Sequence, residues 1–287
     1  MKLTPRTGAI LFEGFANAFL LATPLVTGLT VGIAPSSAAT IAGSAAEVSI
    51  DNFSHRPTET GTSTNTNTQT IANQGIVISE AKADAVFISN CQELLAANLS
   101  KSEVAGSGSN YAGLAQSQAK VIGDFDIDAA ETFSFNFQTV LHLFTSVDNN
   151  KSERARAIGS ISFSLINTVT DILLDSFQLV SSLDSSGGRS LNLSADNSFH
   201  PTAINFNFMT EGSATKSLLY TSGVYSRTFD SATKLTLVEV KNNFAEAEAQ
   251  PEAVPEPSTV LGTAIFLGLF VRARKLKNKL SEIPSKV

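Results

Sequence analysis

Thr132-Phe133-Ser134-Phe135-Asn136-Phe137-Gln138 alternates aromatic and small polar residues without a break. Side chains two apart in a strand share a face, so three phenylalanines point to a core and four polar groups to water. The same period of two recurs on both sides of this stretch. Val121, Phe125 and Ile127 alternate with Asp124, Asp126 and Asp128, and Ile161, Phe163 and Leu165 with Ser160, Ser162 and Ser164. Leu173, Phe177 and Leu179, then Leu191 and Leu193, then Ile204, Phe206 and Phe208 continue it, and stretches 219–227 and 235–240 complete the set. Turns are signalled at 145–150 and at Ser185-Ser186-Gly187-Gly188. Short strands separated by Gly, Asn, Asp and Ser predict a mainly β fold, an antiparallel β-sandwich of jelly-roll-like type.

Upstream the pattern weakens. Residues 56–74 (RPTETGTSTNTNTQTIANQ) carry almost no large apolar group and read as a solvated loop or arm. Ser79–Leu99 fits either a strand followed by a helix or a helix throughout, and Lys101–Gly113, with three glycines, reads as a loop. Phe244–Ala253 (FAEAEAQPEA) reads as an acidic linker.

Both ends differ from the middle. Lys2 and Arg6 precede a largely apolar stretch from Phe15 to Ala34, and Pro35-Ser36-Ser37-Ala38-Ala39 supplies small residues suited to signal-peptidase cleavage after Ala38 or Ala39. At the other end Val254-Pro255-Glu256-Pro257-Ser258 is followed by the uncharged run Thr259–Val271, then Arg272, Arg274, Lys275, Lys277 and Lys279. As a helix, that run at about 1.5 Å per residue spans roughly 20 Å, short of the roughly 30 Å of a bilayer core. Extension toward Pro257 and snorkelling of the basic stems narrow the gap, and the basic cluster keeps its end in the cytoplasm.

The order V-P-E-P-S-T, apolar run, basic cluster over residues 254–279 resembles the PEP-CTERM sorting signal of Gram-negative bacteria that make exopolysaccharide. The resemblance implies recognition of Pro255, Glu256 and Pro257 by the membrane enzyme exosortase and transient insertion of 259–271 into the inner membrane. Arg272, Arg274 and Lys275 would act as the orienting stop, and the tail would be removed, much as a GPI-type signal is. The apolar run is short for the family, and eight residues follow the basic cluster. The body, with F-S-F-N-F at 133–137 and L-T-L-V-E-V-K-N-N at 235–243, is similar to the exported region of some such proteins, a likeness that brings no activity.

Between the two ends, residues 40–258 hold 12 Lys and Arg against 24 Asp and Glu, a balance of −12. That charge repels nucleic acid and anionic lipid and favours solubility. The lone cysteine, Cys91, excludes an intrachain disulfide, and its apolar neighbours predict a buried small hydrophobe.

Few residues suggest chemistry. Asp124, Asp126 and Asp128 have the spacing of a calcium-ligating run, but Ala129 stands where an EF-type loop needs glycine, so they read as a solvated strand face and no metal site is expected. His55, His142 and His200 are scattered; His142 reads as a rim residue, and His200 before Pro201 marks a loop. No nucleophile elbow, dinucleotide fingerprint or P-loop occurs, so no catalytic residue and no cofactor is assigned and the chain is not expected to be an enzyme. Tyr220 and Tyr225 are close enough in sequence to flank a shallow sugar site, although sheet packing is the commoner role of such residues.

The expected organisation is a signal peptide (1–39), a polar and partly flexible N-terminal region (40–115), a β-sandwich core (116–243), an acidic linker (244–253) and a sorting signal (254–287). The expected function is that of an exported cell-surface or matrix protein, structural or interactive in the envelope or exopolysaccharide layer. Its partners would be signal peptidase, exosortase, the inner membrane in passing and exopolysaccharide, with no nucleic acid. A secreted carbohydrate-binding module and a secreted hydrolase are the alternatives.

Overall fold

The structure is a computed structural model and describes residues 39–250. Ten strands follow one another: β1 (Ala39–Asp51), β2 (Glu59–Ser89), β3 (Leu94–Ile127), β4 (Thr132–Ser146), β5 (Glu153–Asn167), β6 (Ile172–Asp184), β7 (Arg189–Ala195), β8 (Phe199–Glu211), β9 (Ala214–Thr228) and β10 (Thr233–Ala249). Every pairing is antiparallel. The mainly β, antiparallel expectation is met by a single, nearly closed, barrel-like sheet in the order β7-β6-β5-β10-β3-β1-β4-β9-β8, with β2 added along β3.

The hinge of this sheet is the β2–β3 hairpin. Residues 59–72 pair with 111–124, and residues 74–89 with 94–109. On its other edge β3 pairs first with β1, through 96–107, and then with β10, through 111–127. The change of partner falls at Gly108 and Asn110, whose φ angles are +99° and +61°. Even-numbered β3 residues such as Asn98 and Val104 face inward before this point, and odd-numbered ones such as Ala115 and Val121 after it. One long ribbon thus serves both halves of the sheet, which fold over to face each other. Phe137 on β4 meets Phe163 on β5 and Phe177 on β6 at ring-centroid distances of 5.5 and 5.3 Å.

The interior has three zones along the strands. At one end Phe125, Phe133, Phe135, Phe137, Phe163 and Phe177, which the alternation predicted, form the buried aromatic core together with Phe199 and Tyr225, whereas Ile204 and Phe206 of the same pattern are exposed. At the other, Ala42, Ala115, Ala155, Ala245 and Ala247 let the two halves approach closely. Between them β10 turns Glu239, Lys241 and Asn243 inward, and β3 turns Asn98, Ser100 and Ser102 to meet them.

The structure corrects several expectations. Residues 40–115, expected as a polar and partly flexible region, are mostly strand: β1 is a central strand, and 59–72, part of the stretch expected as a loop or arm, is half of β2. Ser79–Leu99 holds no helix but two strand ends and a turn, and Lys101–Gly113 is strand rather than loop. Phe244–Ala249, expected as linker, is the end of β10, with Ala245, Ala247 and Ala249 buried and the glutamates pointing outward. In β3 and at the end of β10 the cause is inward residues that are Ala, Ser or Gly, which contribute little apolar contrast to a period-two pattern, whereas 59–72 is exposed almost throughout and is strand through its pairing with β3. Leu173 is exposed because a bulge between Leu165 and Ile166 shifts its register.

Candidate functional site

The residues expected to carry the sorting signal, Pro255, Glu256, Pro257, Arg272, Arg274 and Lys275, lie outside the described residues, as does Ala38. Ala39 opens β1, its N–H donating to Asp148 Oδ2 at 2.9 Å. Gln250, the last described residue, donates from its N–H to Ser152 O at 2.8 Å. Asp148 and Ser152 belong to one short turn, so the body receives and releases its chain at the same rim of the barrel.

The polar candidates of the body separate in space. Asp124 and Asp126 stand on the outer face, Asp124 accepting from Thr236 Oγ1 and Asp126 paired with Lys234 at 3.9 Å. Among the described residues no group of three His, Cys, Asp or Glu could hold a metal ion. Cys91 is exposed in the β2–β3 turn, not buried; Asn90 Oδ1 caps that turn by accepting from the N–H groups of Gln92 and Glu93. His55 Nε2 meets Glu131 Oε2 at 2.9 Å. His142 is half-buried in β4, and burial beside Lys216 holds its pKa below the usual imidazole value. His200 and Pro201 sit in β8 rather than a loop, with a bulge absorbing the proline.

Tyr220 and Tyr225 cannot flank one site. Five residues apart in a regular strand, they point to opposite faces of β9, Tyr220 outward and Tyr225 fully buried. Tyr225 Oη donates to Asp175 Oδ2 at 2.8 Å; Arg227 Nη1 donates to the same oxygen at 2.7 Å, and Ser198 Oγ to Oδ1 at 2.9 Å. Three donors compensate a carboxylate that is 5% exposed, and burial beside it pushes the tyrosine hydroxyl far up. This is a packing device at the rim of the aromatic core.

The outer face carries a different arrangement. Asn65 on β2, Gln118 on β3, Asn242 on β10 and Ser160 on β5 are mutual register partners, forming one row across four strands. Asn67, Gln116, Phe244 and Ile158 form the row beside it. Gln118 Nε2 donates to Asn242 Oδ1 at 2.7 Å, and Asn67 Nδ2 to Gln116 Oε1 at 3.3 Å. Together the rows line a depression whose wall is mostly side-chain amides and also includes Phe244 and Ile158. The Thr/Asn stretch contributes Asn65 and Asn67, and the other members join them only through long-range pairing.

The third cluster lies inside. Glu239 and Lys241 are fully buried and Asn98 is 5% exposed. Asn98 Nδ2 donates to Glu239 Oε2, while Lys241 Nζ donates to both Oδ1 and the backbone oxygen of Asn98. Glu239 Oε1 has no partner. Next in line, Asn243 Nδ2 donates to Ser100 O at 3.0 Å and Asn243 Oδ1 accepts from Ser44 Oγ at 2.5 Å. Burial dominates both ionisable groups: it raises the Glu239 carboxyl to about 7 and lowers the Lys241 amine to about 7, each opposed by the other's charge. The signal was present in L-T-L-V-E-V-K-N-N, where Glu239 and Lys241 share the parity of Leu235 and Leu237. Val238 and Val240, apolar on the outer face, hid which parity faces the core.

Comparison of the chain with protein-family models, with curated proteins and with solved structures gives no match.

Proposed function

We propose that the chain is an exported protein, trimmed at its N-terminus by signal peptidase and at its C-terminus by exosortase, whose body is delivered to the cell surface or the exopolysaccharide layer. The folded-over sheet is read as a jelly-roll-like sandwich, with a signal helix before it and an apolar helix after it. The observation that carries the reading is the ordered tail: Pro255-Glu256-Pro257, the uncharged run 259–271 and the basic cluster from Arg272. Its support is that the two cleavable segments flank a body entered at Ala39 and left at Gln250 from one rim. The role of the body is structural and interactive rather than catalytic. The test is Glu256→Ala: the variant is expected to stay in the membrane with its tail attached, and identical C-terminal masses in variant and wild type would refute exosortase processing.

A second reading, a carbohydrate-binding module, is favoured by the amide rows. Side-chain amides are donors and acceptors at once, matching sugar hydroxyls, and Phe244 offers a ring for a sugar's apolar face. Tyr220 and Tyr225 play no joint part in it. Glycan-array binding that survives in a Gln118→Ala/Asn242→Ala variant would remove this site from consideration.

A further inference from the structure

We propose that Lys241 and Asn98 become joined by an intramolecular isopeptide bond, formed inside the folded barrel without any cofactor, with Glu239 carrying the proton. The three side chains are already assembled. Asn98 lies between the other two, its Nδ2 on Glu239 and its Oδ1 on Lys241, so the amine touches the amide group it would attack.

The surroundings suit the reaction. Register places Glu239 beside Val121 and Phe163, Lys241 beside Ala119 and Ile161, and Asn98 beside Val48 and Ala85. These walls exclude the water that would compete with the amine and hold the reactants together, so an intermolecular reaction becomes an intramolecular one. A buried ammonium is a poor nucleophile, but here burial favours the neutral amine, whose lone pair is free. The same burial keeps a proton on Glu239 near neutrality. The orphaned Oε1 is then a carboxyl oxygen with no structural duty.

Lys241 Nζ forms a bond to Cγ of Asn98 while the Cγ–Nδ2 bond breaks. Nζ gives up one proton, Nδ2 gains one and departs as ammonia, and Glu239 relays the proton and ends as it began. Primary amide and amine become secondary amide and ammonia; nothing is oxidised or reduced. The bond would tie β10, the last strand among the described residues, to β3 across 143 residues, in an exported fold whose one cysteine leaves no intrachain disulfide. It requires no export, so its presence or absence leaves the reading of the two ends untouched.

The test is tryptic mass mapping of the purified, folded full chain. Trypsin is expected to leave Lys241 uncut and to yield a branched peptide joining 83–101 to the stretch beginning at Leu235, lighter than its parts by one ammonia. Glu239→Gln, which preserves shape and hydrogen bonding, is expected to fold and to give the two peptides separately. A wild-type chain with native β circular dichroism that releases 83–101 and 235–241 as separate, unmodified peptides would overturn the proposal. It would then mark the cluster as a buried hydrogen-bonded pair only.

Discussion

Gly75 lies directly opposite Gly108 where the β2–β3 ribbon bends. A Cβ on Gly75 would stand 2.5 Å from Ser107 O, and one on Gly108 would stand 2.8 Å from Gly75 Cα in a backbone already at φ +99°. The bend therefore needs two residues without side chains facing each other, and one of them in the left-handed region. It is this bend that lets a single strand, β3, pair with β1 in one half of the barrel and with β10 in the other.

Replacing Gly108 with Ala is accordingly expected to lower stability by about 1–3 kcal/mol, read as a shift in urea midpoint. Gly61→Ala, in the same strand pair with its nearest neighbour atom 3.8 Å away, serves as the control and is expected to change little. Equal effects in the two variants would mean the bend is not strained against side chains.

The Asp175 network makes a second prediction. Tyr225→Phe removes one of three donors to a buried carboxylate while leaving the ring stacked at 5.0 Å from Phe135. The expected cost is about 1–3 kcal/mol, the penalty of an under-satisfied buried acceptor rather than of lost packing. A double variant, Tyr225→Phe with Asp175→Asn, is expected to recover part of it if charge desolvation dominates. An additive loss would contradict that origin.

The aromatic half of this fold was legible because Phe and Leu give strong contrast against Ser and Asn. Phe133, Phe135, Phe137, Ile161, Phe163 and Leu165 are all buried as their alternation requires. The small-residue half was not. In β3 and at the end of β10 the inward positions are Ser100, Ser102, Ser117, Ala245 and Ala247, residues that look like loop or linker until a facing strand supplies the other wall. The candidate sites were hidden for a related reason. The amide rows and the Glu239–Lys241–Asn98 cluster are each built from strands far apart in sequence, and only register brings their members together. Tyr220 and Tyr225 illustrate the converse, since closeness in sequence with an odd separation put them on opposite faces.

His142 gives a pH prediction. Burial and the charge of Lys216 depress its folded pKa below the ordinary 6.5, so the unfolded chain binds the proton more readily. Its contribution to stability is present above pH 6.5 and is lost as pH falls through the folded pKa. Denaturant midpoints measured on both sides of that window are expected to fall more steeply with acid in the wild type than in His142→Gln. Parallel pH profiles would show that this imidazole titrates alike in both states.

Removal of both ends of the chain is tested most directly by the mass of the mature protein recovered outside the producing cell. Expected is a species beginning after Ala38 or Ala39 and lacking the apolar run and basic cluster that follow Pro257. Recovery of the intact 287-residue chain from the cytosol, with neither end removed, would contradict the account.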